Sequence, residues 1–160
     1  MHHRHTIRTR LTTGLAAAAI AASSLAALSV GSGTAHAETV APLERCWGIS
    51  PNIVDQPYST ARLFVSQTGP GTVTAAVRDI SSFWTFSGGY ESAGRLDWHN
   101  LNNNRKGTAF NTAKIALFVG GPTFALDTGP GKVRVTLSAV NRNALWAIPT
   151  TACSGTITVR

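Results

Sequence analysis

The sequence predicts an all-β, antiparallel fold, a sandwich or a barrel, carried behind an export signal and closed by one disulfide. Three observations lead there. Short apolar runs alternate with polar residues at a period of two, most clearly Val133, Val135, Leu137 and Ala139 against Arg134, Thr136 and Ser138. Clusters of Gly, Pro and Asn separate these runs, and none of them keeps a helical period. The two cysteines, Cys46 and Cys153, stand near the two ends of the patterned region.

Residues 1–37 read as a signal peptide. Arg4, Arg8 and Arg10 form a basic head without an acid, an Ala-rich apolar run covers Leu15 to Val30, and Ala35-His36-Ala37 supplies a cleavage pattern. Ser23, Ser24 and Ser29 interrupt a run already shorter than the roughly 20 apolar residues that a membrane-spanning helix needs. The membrane is thus a partner only during export. Arg8 and Arg10 are not adjacent, and no cysteine follows the cleavage pattern, so neither a twin-arginine signal nor a lipid anchor is indicated.

Residues 38–160 then form a single domain. Three basic residues leave with the signal while all seven acids stay, so eleven basic residues face seven acidic ones and the net charge falls from +7 to +4. The charge is scattered, with only Arg105 and Lys106 adjacent, which does not mark a nucleic-acid binder. In an exported chain two cysteines most simply pair. Closing a loop of about 100 residues contributes roughly 4–5 kcal/mol in the chain-entropy description.

In chain order, strands are expected near Leu43–Ile49, over Ala61–Ser66 and Thr72–Arg78, and near Phe83–Phe86, Gly94–Leu101, Lys114–Val119 and Thr123–Asp127. Lys132–Val140, Ala144–Ile148 and Cys153–Val159 follow, while Pro51–Ser59 reads as a loop. Turns fall at Ser87-Gly88-Gly89, Asn102–Gly107, Gly120-Gly121-Pro122 and Asn141-Arg142-Asn143. About eight to ten short strands at this spacing suit a sandwich or barrel. Thr68-Gly69-Pro70-Gly71 recurs as Thr128-Gly129-Pro130-Gly131, and each copy reads as a β-hairpin turn.

Candidate chemistry is sparse. Asp97 and His99 share one side of a strand, and a carboxylate beside an imidazole could orient it as a general base. No serine or threonine sits in a recognisable nucleophile turn, so a surface polar pair is the preferred reading. One histidine and two paired sulfurs make no zinc set, and no metal or cofactor is expected. The aromatics are more telling. Phe83-Trp84-Thr85-Phe86 would place rings on both faces of a strand, which nominates Trp84 as an exposed anchor, whereas Trp98 and Trp47 are expected in the core. The Asn102–Gly107 turn, with Asn103, Arg105 and Lys106, could hydrogen-bond an anionic polymer or a sugar.

The long-range cysteine pair, the Trp98-His99-Asn100-Leu101 strand entering an Asn-rich turn, and the closing Pro149 to Thr156 segment with Cys153-Ser154-Gly155 resemble small secreted bacterial β-sandwich proteins without assigned activity. That resemblance implies an immunoglobulin-like sandwich and an extracellular or envelope-associated location, and brings no catalytic residue. The function expected is non-catalytic recognition of an extracellular or cell-envelope ligand, an anionic polymer, glycan or protein, through a surface including Trp84 and the Asn102–Gly107 turn. The alternatives are a small hydrolase using Asp97 and His99, and an inhibitor of a secreted enzyme that inserts a Thr-Gly-Pro-Gly loop.

Overall fold

A computed structural model describes residues 37–84, 88–117 and 120–160. Apart from Ala37, the expected signal peptide lies outside the described residues. Nine strands are present among them: β1 Thr39–Gly48, β2 Tyr58–Gly69, β3 Thr72–Ala76, β4 Tyr90–Asn100, β5 Lys106–Ile115, β6 Thr123–Asp127, β7 Gly131–Arg142, β8 Ala147–Pro149 and β9 Cys153–Val159. All pairings are antiparallel, as expected.

The strands run in one order, β5-β4-β7-β9-β1-β2-β3-β6, with β8 added alongside β7. The end strands approach each other, and Asn111 on β5 donates its side-chain amide to the Thr123 carbonyl on β6. The sheet is therefore nearly closed, the barrel-like of the two arrangements that the strand spacing allowed, where the resemblance implied an immunoglobulin-like sandwich. Its weakest backbone seam is between β1 and β9, joined only at Leu43 and Gly155. There β1 carries a register shift between Pro42 and Cys46, and such a bulge bends a strand. The Cys46–Cys153 disulfide ties this corner, with the two Cα atoms 5.0 Å apart.

Period-two alternation fills the interior. Val133, Val135, Leu137 and Ala139 all point inward, as their spacing predicts, and meet Leu63, Val65, Val73, Ala75, Leu96, Phe124, Leu126, Ile157 and Val159. Each large aliphatic side chain so buried stabilises the fold by about 1.5–3 kcal/mol. At Gly94 a Cβ would sit 2.6 Å from Pro122 Cγ and 2.9 Å from Phe124 Cζ, so only glycine lets the Phe124 ring close onto β4.

Four expectations change. The strand placed at Lys114–Val119 lies earlier, at β5, because the inward positions of β5 include Gly107, Ala109 and Ala113, which carry little apolar signal. Trp98 supplies the missing bulk by covering Gly107, where a Cβ would lie 2.6 Å from its ring. Phe83 and Trp84 lie in the β3–β4 connection and not in a strand, and 85–86 are outside the described residues. Of the Ala144–Ile148 run only Ala147 and Ile148 pair, extended by Pro149 into β8, since Asn143 first turns the chain. The second Thr-Gly-Pro-Gly copy is no hairpin either, because β6 pairs with β3 while β7 pairs with β4, β8 and β9.

The alternating strand directions define two poles. The β2–β3 and β4–β5 hairpins, the β6–β7 crossover and Arg160 meet at the lower pole. The connections β1–β2, β3–β4 and β7–β8 meet at the upper pole.

Candidate functional site

The nominated surface is divided by the fold. Trp84 precedes the upper end of β4 and the Asn102–Gly107 segment follows its lower end, so the 11 residues of β4 hold them about 30 Å apart at ~3.3 Å per residue. They form two regions and no common face.

At the lower pole the asparagines are consumed by the fold. The buried Asn100 amide donates to the carbonyls of Thr128, Gly129 and Pro130 at 3.0, 3.1 and 3.1 Å, and its oxygen accepts from the amides of Asn102 and Asn103. Asn103 stays exposed while donating to the Thr128 carbonyl at 3.4 Å, and Arg105 pairs with Asp127 at 3.6 Å. Lys106 remains exposed, on the outer face of β5. The two Thr-Gly-Pro-Gly copies pack against each other. The Gly71 carbonyl accepts from the Thr128 and Gly129 amides, and a Cβ on Gly71, whose φ is 73°, would lie 2.8 Å from Gly129 Cα. The recurrence thus builds one polar knot and projects no insertion loop.

Asp97 and His99 share the outer face, as the period predicts, without bonding each other. Arg95 clasps the Asp97 carboxylate at 3.0–3.1 Å and Thr108 donates to it, while His99 Nε2 meets Asn104 Oδ1 at 2.7 Å. Burial pushes the Asp97 carboxyl up, but bonds from Thr108 and Arg95 and the Arg95 charge outweigh that and hold it below its ordinary value. It stays ionised toward Arg95 and does not orient the imidazole. Among the described residues no three of His, Cys, Asp or Glu converge as metal ligands.

The upper pole is different in kind. Ile53, Val54 and Leu145 are 77%, 78% and 81% exposed, and Phe83 and Trp146 are 60% and 52% exposed. They come from three connections locked together by two polar hubs. Asp55 accepts hydrogen bonds from the Ser50 and Ser82 hydroxyls and from the Gln56 and Phe83 amides. Burial pushes its carboxyl up, and these four bonds more than reverse that, holding it below the ordinary carboxylate value. Asn143 donates to the Pro51 carbonyl at 2.7 Å and to Asn52 Oδ1 at 3.1 Å, and accepts from the Leu145 and Trp146 amides. Trp84 adds a third tie, its indole N–H bonding the Val54 carbonyl at 2.9 Å.

Trp84 is therefore half-buried and braces the loops, and the exposed ring nearby is Trp146. Between them, with Pro51, Asn52, Ile53, Asn143 and Leu145, lies a cleft of about 240 Å³. Trp47, expected in the core, is 47% exposed because it falls on the outward side of β1 beyond the bulge. Trp98 is half-buried and does pack against the core. At the tip, Ile53 has φ 52° and the Val54 amide bonds back to the Asn52 carbonyl, a γ-turn that a β-branched residue rarely adopts. Such strain costs about 1–3 kcal/mol and persists only where surrounding bonds over-determine it.

Sequence reasoning missed Ile53, Val54, Asp55, Asn143 and Leu145. Two adjacent β-branched apolar residues inside a Pro- and Asn-containing loop were the available signal. The fold and this pole together define a single-disulfide, nearly closed antiparallel β protein with a braced apolar tip. No protein-family model, curated protein or solved structure matches the chain.

Proposed function

We propose that this is a secreted, non-catalytic binding protein that takes a protein partner at its upper pole. The observation that carries this reading is the set of water-facing Ile53, Val54, Phe83, Leu145 and Trp146 side chains on loops tied together by hydrogen bonds at Asp55 and Asn143. Exposing such large side chains together disfavours the free protein in water and favours any partner that covers them. Pre-ordered loops lower the entropy cost of association, and a central tryptophan is a common source of binding energy. The tips are mostly aliphatic, which suits a protein surface better than the flat stacking that a sugar ring requires. The disulfide fits an oxidising extracellular compartment, in keeping with the N-terminal export pattern and with the resemblance to small secreted bacterial β-sandwich proteins.

Site-specific photocrosslinking in the exporting cell tests this reading. A photoreactive residue at Trp146 should yield a discrete adduct with another protein, and the same group at Thr112, on the outer face of β5, should not. Identical adducts from both positions, or none from position 146, would refute it.

A further inference from the structure

We propose that Lys106 and Arg134, which flank His99 in a row across β5, β4 and β7 at the lower end of the outer sheet face, bind a tetrahedral oxyanion, a phosphate or sulfate group carried on a larger molecule. The register sets the three side by side. His99 pairs with Lys106 on one side and with Arg134 on the other. Residues directly opposite in adjacent antiparallel strands hold their side chains within about 5 Å of one another, and like charges so placed repel.

The contrast with the other end of the same face makes this row unusual. There Lys114, Glu91 and Arg142 alternate in sign across the same three strands, and Arg142 pairs with Glu91. In the lower row the middle position holds an imidazole instead of an acid. Among the described residues, neither Lys106 nor Arg134 has an ion-pair partner. The nearest carboxylate, Asp97, is clasped by Arg95 from the opposite side. The row borders a cleft of about 430 Å³, open to solvent and lined also by Thr108, Thr136 and the Asp97 carboxylate that Arg95 neutralises.

The chemistry selects the ligand. Arg134 offers a planar fork that matches phosphate or sulfate oxygens, and Lys106 supplies a compact cation on the far side of the cleft. A tetrahedral dianion offers more acceptor oxygens and more charge to two flanking cations than a single carboxylate does. An open cleft grips a group on a larger molecule and does not enclose a small one. This site is separate from the apolar pole, and the two proposals stand or fall independently.

Titration calorimetry at low salt with orthophosphate, polyphosphate and phosphatidylglycerol vesicles tests it. Wild type should bind polyphosphate saturably, and the Lys106→Ala/Arg134→Ala double variant should weaken binding at least about tenfold. The dependence of log affinity on log salt should become shallower by roughly two, one for each lost contact. Arg45→Ala, which removes an exposed cation on β1, should match wild type. Polyphosphate binding well above both orthophosphate and vesicles assigns the group to a polymer, and vesicle binding that the double variant loses assigns it to a lipid headgroup. Absence of saturable binding to all three probes, or a double variant equal to wild type, overturns the proposal, as does an equal loss in Arg45→Ala.

Discussion

Replacing Asp55 separates the two parts of its role, because its acceptor oxygens serve different kinds of donor. One oxygen takes the Phe83 and Gln56 backbone amides, each at 2.8 Å, and the other takes the Ser50 and Ser82 hydroxyls, with the Asn52 side-chain amide at the longer distance of 3.5 Å. Backbone amides can only donate. Hydroxyls can rotate to accept. In Asp55→Asn the amide oxygen can keep the two backbone donors while its NH₂ donates to the serines, so only the strength added by charge is lost, about 1–2 kcal/mol. In Asp55→Ala two amides and two buried hydroxyls lose their acceptor together. Leaving a buried donor unsatisfied costs about 1–3 kcal/mol, and partial rehydration limits the sum to about 3–5 kcal/mol. With an unfolding entropy near 2.1 cal/mol/K per residue, a domain of about 120 residues loses about 4 °C of Tm per kcal/mol. Thermal unfolding followed by circular dichroism should thus show drops of about 4–8 °C for Asn and about 12–20 °C for Ala. Hydrogen exchange should speed up first at Phe83 and Gln56. Equal midpoints for the two variants, or an Ala variant as stable as wild type, would refute the hub as described.

Other outcomes follow from the same bonds. Because the folded Asp55 and Asp97 carboxyls titrate below their ordinary value of 3.8, their stabilisation is complete above that pH and is lost as pH falls through the lower folded values. Unfolding midpoints should therefore hold from neutrality down to about pH 4 and then drop, with a shallower drop in Asp55→Asn; a wild-type decline centred near neutrality contradicts this. Reducing the disulfide, or substituting Cys46→Ser, should lower stability by about 4–5 kcal/mol, the entropy of a loop spanning 107 positions, and denaturant titration with and without reductant reads it. Asn100→Leu strips a donor from three carbonyls and should cost about 3 kcal/mol in the same titration while leaving adducts from position 146 intact.

The sequence made the strands with strong side-chain contrast legible and hid those without it. On β7 four apolar residues alternate with polar ones, and all four are buried where the period put them. On β5 the inward side includes Gly107, Ala109 and Ala113, whose small side chains give no contrast, and the bulk that completes them comes from Trp98 on β4. The Thr-Gly-Pro-Gly recurrence was visible, but its meaning depended on two loops meeting in space. The same holds for Asp55, whose partners Ser82 and Phe83 lie 27 and 28 positions away, so nothing local distinguishes it from any loop acid. Trp146, between Leu145 and Ala147, looked like the middle of a strand because the Asn143 turn that exposes it is made by a side chain and not by glycine or proline. The aromatic clue pointed to Trp84, whose half-buried ring is tied to the Val54 carbonyl, while the more exposed ring nearby is Trp146.

The central claim is that the apolar tips of the upper pole are already fixed in the free protein. Backbone ¹⁵N relaxation of the isolated domain tests it at Ile53, Val54, Phe83, Leu145 and Trp146. Order parameters near those of the strands, about 0.85, are expected at all five positions. Values below about 0.6 at Ile53, Val54 and Leu145 would contradict it, since loops that move freely on this timescale are not held by Asp55 and Asn143.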